Sequence, residues 1–81
     1  MFINKTADGR NNICGTQISK YRKEMGKSQR QLADALQLEG LDVDKNAIQR
    51  MESGQRFVTD IELVYLAKVL NVSYEQLLNI D

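Results

Sequence analysis

The residues of this chain best suited to chemistry lie in one short stretch, DKNAIQRMESG, at positions 44–54. Helical spacing divides this stretch into two faces. Ala47, Ile48 and Met51 form an apolar edge, which predicts packing against a core. The other face gathers the side chains that form hydrogen bonds, namely Lys45, Asn46, Gln49, Arg50 and Ser53. This polar face either meets water alone or is shaped to bind a partner.

Catalytic and metal-binding chemistry find little support in the sequence. Histidine, the commonest general base and metal ligand, is absent. The single cysteine, Cys14, falls on an apolar helix face, where a buried and unreactive thiol is expected. Asp42 and Asp44 are better explained as turn and helix-cap residues than as an acid–base pair. We therefore predict a protein that is not an enzyme and that uses no metal or cofactor.

Two partial ligand-binding motifs also fail on their spacing. The segment GKS at 26–28 ends like a phosphate-binding P-loop, but Tyr21 stands where that motif needs its first glycine. The segment DVDKN at 42–46 begins like a calcium loop. In that motif Ala47 would have to be glycine and Ser53 a bidentate glutamate. Neither a nucleotide site nor a calcium site is expected.

Length and composition indicate one small domain inside a cell. Eighty-one residues with 42% apolar content suit a single compact bundle. A lone Cys14 cannot form an internal disulfide, which fits a reducing cytosol. No apolar run reaches the ~18 residues of a membrane span, and the N-terminus lacks the apolar stretch of a secretory signal. We expect a cytoplasmic protein without a membrane partner.

The charge is balanced overall but unevenly distributed. Residues 1–30 carry seven basic and two acidic side chains, whereas residues 31–81 carry four basic and nine acidic ones. Zero net charge argues against a nucleic-acid binder, because many of those proteins have a pI above ~9. The basic N-terminal part nevertheless suits a surface that faces a polyanion.

Periodicity and capping signals predict five short helices and no strand. The first helix is expected to end at Gly26, and the other four have N-cap signals at Ser28, Asp44, Thr59 and Ser73. The predicted inner faces hold Cys14, Ile18, Tyr21, Arg22 and Met25 in the first helix, Leu32, Ala33, Ala35 and Leu36 in the second, Leu63, Leu66, Ala67 and Leu70 in the fourth, and Leu77 and Leu78 in the last. Residues 1–11 lack periodicity and are interpreted as a flexible N-terminal arm, which leaves residues 12–81 as the folded domain.

Two charged residues fall where apolar residues are expected. Arg22 lies within the apolar stripe of the first helix, and Glu52 borders the apolar edge of the third. A buried guanidinium needs a carboxylate partner, because an unpaired buried charge is costly. We predict that Arg22 and Glu52 pair and tie these helices together; the alternative is that both side chains extend to water.

Four segments carry a family pattern: RKEMGKSQ at 22–29, LA at 32–33, IQRMESG at 48–54 and LAKVLNVS at 66–73. In this order and at this spacing they resemble the lambda-repressor/Cro-like helix-turn-helix family, also called the XRE family. The resemblance covers residues 13–78. It implies an all-α, compact five-helix bundle that binds DNA, with the buried Arg–Glu pair of the family at Arg22 and Glu52.

The resemblance also implies roles for the polar face. The helix at 45–53 would enter the major groove with its N-terminal residues on base edges. The expected base contacts are Lys45, Asn46, Gln49 and Arg50, the last also within reach of a phosphate. Asn and Gln pair with adenine and Lys donates to guanine, so the chemistry is suitable. Contacts to the DNA backbone are expected from Gln29, Lys27, Arg30 and Arg56. Taken singly, each basic residue is equally well explained as a solvated surface charge.

The connection before this helix departs from the family pattern. The two helices of the motif are usually joined by about three or four residues. Here the connection from Leu38 to Val43 is expected to be about five residues longer. Leu38, Leu41 and Val43 are apolar and are expected to pin it to the core. Negative charge at Glu39, Asp42 and Asp44 would also lie near DNA, so Glu39 and Asp42 must point away from phosphate.

The resemblance predicts a sequence-specific transcriptional regulator, a repressor of bacterial or phage origin, with a double-stranded DNA operator as its partner. An apolar surplus beyond the core predicts a homodimer; it consists of Ile61, Val64, Tyr65, Val69, Tyr74 and Ile80. The alternative is a protein-interaction module of the same fold, of the antitoxin or antirepressor type, with a protein partner and little DNA binding of its own.

Overall fold

The computed structural model describes residues 4–79, and this part of the chain contains five α-helices and no strand. They are α1 (Gly15–Glu24), α2 (Gln29–Glu39), α3 (Lys45–Ser53), α4 (Asp60–Leu70) and α5 (Tyr74–Leu78). The predicted all-α five-helix bundle is confirmed. Within the described range, none of the helices combines the length and apolar character that crossing a membrane requires.

Side-chain caps determine where four of the helices begin. In α2, α4 and α5 the cap hydroxyl accepts from the backbone N–H three residues later, and the side chain at that position accepts from the N–H of the cap residue. Asp44 caps α3 by accepting from the N–H of Ala47 at 2.8 Å. These are the caps that the sequence predicts. Cys14, at the N-cap position of α1, has no side-chain cap bond.

The core collects apolar side chains from all five helices. The largest fully buried ones are Ile18, Leu32, Leu36, Ile48, Met51, Leu66 and Leu77. The α3 helix packs against α1 and α2, while α4 covers α1 and α2 from another side and α5 closes the bundle against α1 and α4. The apolar edge of α3 therefore points inward, and its polar face is left at the surface. Met25 departs from its predicted inner position and is 44% exposed, because α1 ends before it.

The connection between α2 and α3 is shorter than the sequence predicts, because α2 continues through Leu38 to Glu39. Residues 40–44 alone separate the two helices. The turn is longer than the usual three or four residues, as predicted, but the expectation of about five extra residues is wrong. The pinning role predicted for Leu38 is also wrong, since this side chain is 90% exposed.

Val43 anchors the connection to the core. Its side chain is 5% exposed, and Leu41 packs beside the core as a partly buried residue. The side-chain amide of Gln37 donates to the carbonyl of Val43 at 2.8 Å, and the N–H of Leu41 donates to the carbonyl of Leu36 at 3.0 Å. These bonds hold the residue that precedes the Asp44 cap, and so hold the start of α3.

Candidate nucleic-acid interface

The polar face of α3 is exposed along the whole helix. Lys45, Asn46, Gln49 and Arg50 are all exposed, while Ile48 and Met51 on the opposite edge are fully buried. None of these four side chains takes part in the ion pairs found between residues 4 and 79. The face therefore carries amide, amine and guanidinium groups that are available to a partner. Their contact with bases stays a prediction.

Arg22 and Glu52 form the ion pair that the sequence predicts. Arg22 Nε lies 2.7 Å from Glu52 Oε2, and Arg22 Nη2 donates to Glu52 Oε1 at 3.0 Å, which makes the pair bidentate. The two side chains are 10% and 8% exposed. Arg22 Nη1 also donates to the carbonyl of Lys27 at 2.9 Å. The pair thus ties α3 to α1 and to the residues just before α2.

Gln29 joins this network, which changes the way in which it is able to meet DNA. Its amide Nε2 donates to Glu52 Oε1 at 3.0 Å, and the residue is half-buried. The contact of Gln29 with the DNA backbone stays a prediction. Its side chain is not freely extended, so the groups at this position that are open to a phosphate are the first-turn N–H groups of α2, which lack intrahelical partners. Lys27, half-buried, and Arg30, exposed, flank the same helix end.

Arg56 is engaged within the protein. Its Nη1 lies 2.8 Å from Glu62 Oε2, although the N–H is not aligned for a hydrogen bond, and its side chain remains 34% exposed. Glu62 is buried and also accepts from the N–H of Thr59 at 2.9 Å. The sequence predicts the capping role of Glu62 but not its pairing with Arg56. Part of the charge that Arg56 was expected to offer to a phosphate is thereby balanced.

The three acidic residues near the start of α3 differ in whether they have a partner within the protein. Asp44 caps α3, and Glu39 Oε2 pairs with Lys68 Nζ on α4 at 3.2 Å. Asp42 is exposed in the connection. Two of the three carboxylates that the sequence places beside the polar face therefore have partners within the protein.

Residues 10–12 contact the C-terminal end of α3, and the sequence does not predict these contacts. Arg10 Nη2 donates to the carbonyl of Glu52 at 2.8 Å, and Asn12 Nδ2 donates to the carbonyl of Met51 at 3.0 Å. Asn12 is 8% exposed, and its Oδ1 accepts from the N–H of Gly15 at 2.8 Å, which supplies the cap that Cys14 lacks. Irregular segments carry no periodicity, so no sequence signal marks these contacts. The flexibility of residues 1–11 stays a prediction.

Cys14 is buried at 3% exposure. Burial raises the pKa of its thiol above the ordinary value, outweighing the opposite effect of a backbone hydrogen bond. A thiol with a raised pKa stays protonated at neutral pH, and only the thiolate is strongly nucleophilic. This is the environment of the unreactive cysteine that the sequence predicts.

Three members of the apolar surplus are well exposed: Ile61 at 65%, Val64 at 51% and Tyr74 at 50%. Tyr65 and Val69 are partly buried against the core instead, and Ile80 lies outside the described residues. The exposed side chains belong to α4 and to the start of α5.

The sequence of residues 18–77 matches the family HTH_3, described as helix-turn-helix. The chain belongs to the helix-turn-helix family. The resemblance of the sequence assigns α2 and α3 to the two helices of the motif, and proteins of this family are DNA-binding regulators. No curated protein sequence matches the chain.

Two solved structures are similar to this helix-turn-helix protein. The restriction-modification controller protein C.AhdI from Aeromonas hydrophila is 26% identical, with a TM-score of 0.69 over 79% of this chain and 89% of that chain. The clp gene regulator ClgR from C. glutamicum is 22% identical, with a TM-score of 0.72 over 84% of this chain and 82% of that chain. The likeness to ClgR shows the fold alone. The family places this protein among DNA-binding transcriptional regulators.

Proposed function

We propose that this protein is a sequence-specific repressor that inserts α3 into the major groove of a double-stranded DNA operator. The observation that carries the proposal is the exposure of Lys45, Asn46, Gln49 and Arg50 on the second helix of the motif, whose other edge is buried. A bound domain blocks access to a promoter by occupancy alone, so repression needs no further chemistry. The description of C.AhdI as a controller protein supports a regulatory role.

The N-terminal half of α3 reads the bases in this proposal. Asn46 and Gln49 are able to pair bidentately with adenine, and Lys45 donates to guanine O6 or N7. Each such contact discriminates between bases by about 1–3 kcal/mol. Arg50 lies further along the helix and reaches either an edge base or a phosphate.

The N-terminal end of α2 holds the DNA backbone. Lys27 and Arg30 flank the first-turn N–H groups at Gln29, and this combination of positive charge and helix dipole attracts a phosphate. Arg56 adds a contact through the guanidinium nitrogens that do not face Glu62. These groups fix the position of the protein on the duplex and carry no sequence information themselves.

A homodimer is the proposed form on the operator. Helix-turn-helix dimers bind half-sites about 34–36 Å apart, and the exposed Ile61, Val64 and Tyr74 offer an apolar surface for a second copy. Sedimentation velocity at high micromolar protein concentration, with and without operator duplex, measures the oligomeric state. A profile that corresponds to one protein copy in both samples overturns the dimer.

Selection from a random duplex library identifies the operator, and fluorescence anisotropy at ~100 mM salt then measures affinity for the selected duplex and for a scrambled duplex of the same composition. We expect the selected duplex to bind at least about a thousandfold more tightly. Equal binding of both duplexes overturns the regulator proposal and favours the protein-interaction module of the antitoxin or antirepressor type.

Two variants separate base reading from backbone binding. Gln49→Ala is expected to lose preference at one base position by about 1–3 kcal/mol, with little change on scrambled DNA. Arg30→Ala is expected to weaken all duplexes alike and to reduce the salt slope by about one. Arg56→Ala is a poorer test, because it also leaves the buried Glu62 unpaired. Unchanged sequence preference in Gln49→Ala shows that α3 is not the reading helix.

A further inference from the structure

We infer that Arg10 is a positioning residue for base recognition: it caps the C-terminal end of α3 and fixes the direction of that helix without touching DNA. The inference rests on the proposed function of α3. It goes beyond it by assigning part of the sequence selectivity to a residue outside the motif and before α1.

The contact of Arg10 is made to the end of α3 rather than to its polar face. Arg10 Nη2 donates to the carbonyl of Glu52 at 2.8 Å and approaches that of Met51 at 3.5 Å. The last carbonyls of a helix have no intrahelical partner, and the helix dipole makes that end partly negative. A guanidinium therefore supplies both the missing donor and the matching charge.

Two glycines allow Arg10 to come this close. Gly54 has φ +83°, and a Cβ on it would lie 2.8 Å from Arg10 Cζ and 3.0 Å from Arg10 Cβ. A Cβ on Gly15, at the start of α1, would overlap with Arg10 Nη2 and with the carbonyl oxygen of Met51. The side chain of Arg10 thus runs across Gly54 and reaches the point where α1 and α3 meet.

The backbone around Arg10 lies within the arm predicted to be flexible, but in this structure it is hydrogen-bonded to neighbouring groups. Thr6 and Arg10 are joined by two bonds, from the N–H of Arg10 to Thr6 Oγ1 at 2.9 Å and from the N–H of Thr6 to the carbonyl of Arg10 at 2.8 Å. The N–H of the next residue, Asn11, donates to the carbonyl of Gly54 at 2.8 Å. Because these bonds restrict the segment already, little ordering entropy opposes the cap.

A cap at this end affects recognition at the other end through geometry. Glu52 follows Lys45 by seven positions in the same helix, which is about 10 Å along the axis. A bidentate contact between a side chain and a base tolerates only small displacements, so a tilt of α3 about its C-terminal end misaligns Lys45 and Gln49. Nonspecific binding depends on charge and is insensitive to such a tilt.

The test compares Arg10→Ala with Lys5→Ala, which removes one positive charge from the same segment at an exposed position. Affinities for the selected and the scrambled duplex are measured well below the melting temperature of each variant. We expect Arg10→Ala to lose about tenfold in the ratio of the two affinities, and Lys5→Ala to keep the wild-type ratio. Partial unfolding lowers both affinities by the same factor, so the ratio is not moved by a loss of stability alone.

The outcomes are distinct from those that test the proposed function. If wild-type protein shows no preference for the selected duplex, the proposed function fails. If the wild-type preference is present and Arg10→Ala retains it, the inference about Arg10 is wrong. A salt slope for scrambled DNA that falls in Arg10→Ala but not in Lys5→Ala also overturns it, because Arg10 would then contact a phosphate itself.

A second variant covers the case in which Arg10→Ala does not fold. Thr6→Val keeps the shape of the side chain but removes the hydroxyl that accepts from the N–H of Arg10. We expect it to lower the affinity ratio by about threefold, in the same direction as Arg10→Ala, since the cap is loosened rather than removed. An affinity ratio equal to that of the wild type counts against the inference.

Discussion

The two ends of α3 are held by different kinds of interaction. At the N-terminal end an apolar residue of the connection, Val43, is buried in the core, and the Asp44 cap follows it. At the C-terminal end the attachment is polar: Glu52 pairs with Arg22 through its side chain and accepts from Arg10 through its backbone. The side chains of Lys45, Asn46 and Gln49, the proposed base contacts, make no hydrogen bond or ion pair among the described residues, and the polar side-chain contacts of α3 to other helices lie at its opposite end.

This division has a physical reason. A side chain that reads a base must have unsatisfied hydrogen-bonding groups before DNA binds, so it has to be fixed by its backbone rather than by polar neighbours. Apolar packing at Val43 places the backbone without occupying those groups. The hydrogen bonds made by Glu52 also restrict the orientation of α3, because hydrogen bonds depend on angle as well as distance.

The largest expected loss of stability comes from removing the Arg22–Glu52 ion pair at the C-terminal end of α3. Arg22→Ala leaves the carboxylate of Glu52 buried without its bidentate partner, and we expect a loss of about 3–5 kcal/mol in the free energy of unfolding. Urea denaturation followed by circular dichroism measures this. Lys23→Ala is the matched control, because it removes an exposed positive charge from the same turn of α1. A difference under about 1 kcal/mol between the two variants would show that the pair contributes little.

A smaller loss of stability is expected from weakening the apolar packing of Val43 at the N-terminal end of α3. Val43→Ala removes two buried methyl groups, and we expect it to cost about 2 kcal/mol in the free energy of unfolding. Leu38→Ala, in the last turn of α2, is the control: its side chain is 90% exposed, so a change under about 0.5 kcal/mol is expected. Equal losses in both variants would mean that Val43 does not anchor the connection.

The smallest expected difference in stability is between alanine substitutions at Gly54, which contacts Arg10, and at Gly26, which has no such contact. Gly54→Ala and Gly26→Ala both place alanine at positive φ, +83° and +70°, which costs about 1–2 kcal/mol in each case. A Cβ at Gly26 meets nothing within 4 Å, whereas one at Gly54 meets Arg10. We expect Gly54→Ala to cost about 1 kcal/mol more in thermal or urea unfolding.

The double variant Arg10→Ala, Gly54→Ala provides the control for this difference. Arg10→Ala removes Cγ and Cζ but keeps the Cβ that would lie 3.0 Å from a Cβ on Gly54. The excess cost of the Gly54 substitution over the Gly26 substitution, measured against Arg10→Ala alone, is therefore expected to shrink. An excess as large in the double variant as in Gly54→Ala alone would place its origin outside the contact with the Arg10 side chain beyond Cβ.

Local signals predicted the helices well, and contacts between distant segments explain what they missed. The caps at Ser28, Asp44, Thr59 and Ser73 were predictable, because a cap depends on residues within one turn. The pair of Arg22 and Glu52 was predictable because two charges on apolar faces need each other. The cap by Arg10 was not, since forty-two positions separate it from Glu52 and nothing local marks it.

The sequence by itself determined five helices, their buried faces and the exposed polar face of α3, because periodicity and capping act over a few residues. The tertiary structure decided three further points: that α2 extends to Glu39 and shortens the connection, that Arg56 faces Glu62, and that residues 10–12 close on the end of α3. Each depends on which segments meet in space. Hydrogen-bonding groups of irregular segments take whatever partner the fold brings near, and this is settled only when the whole chain has packed.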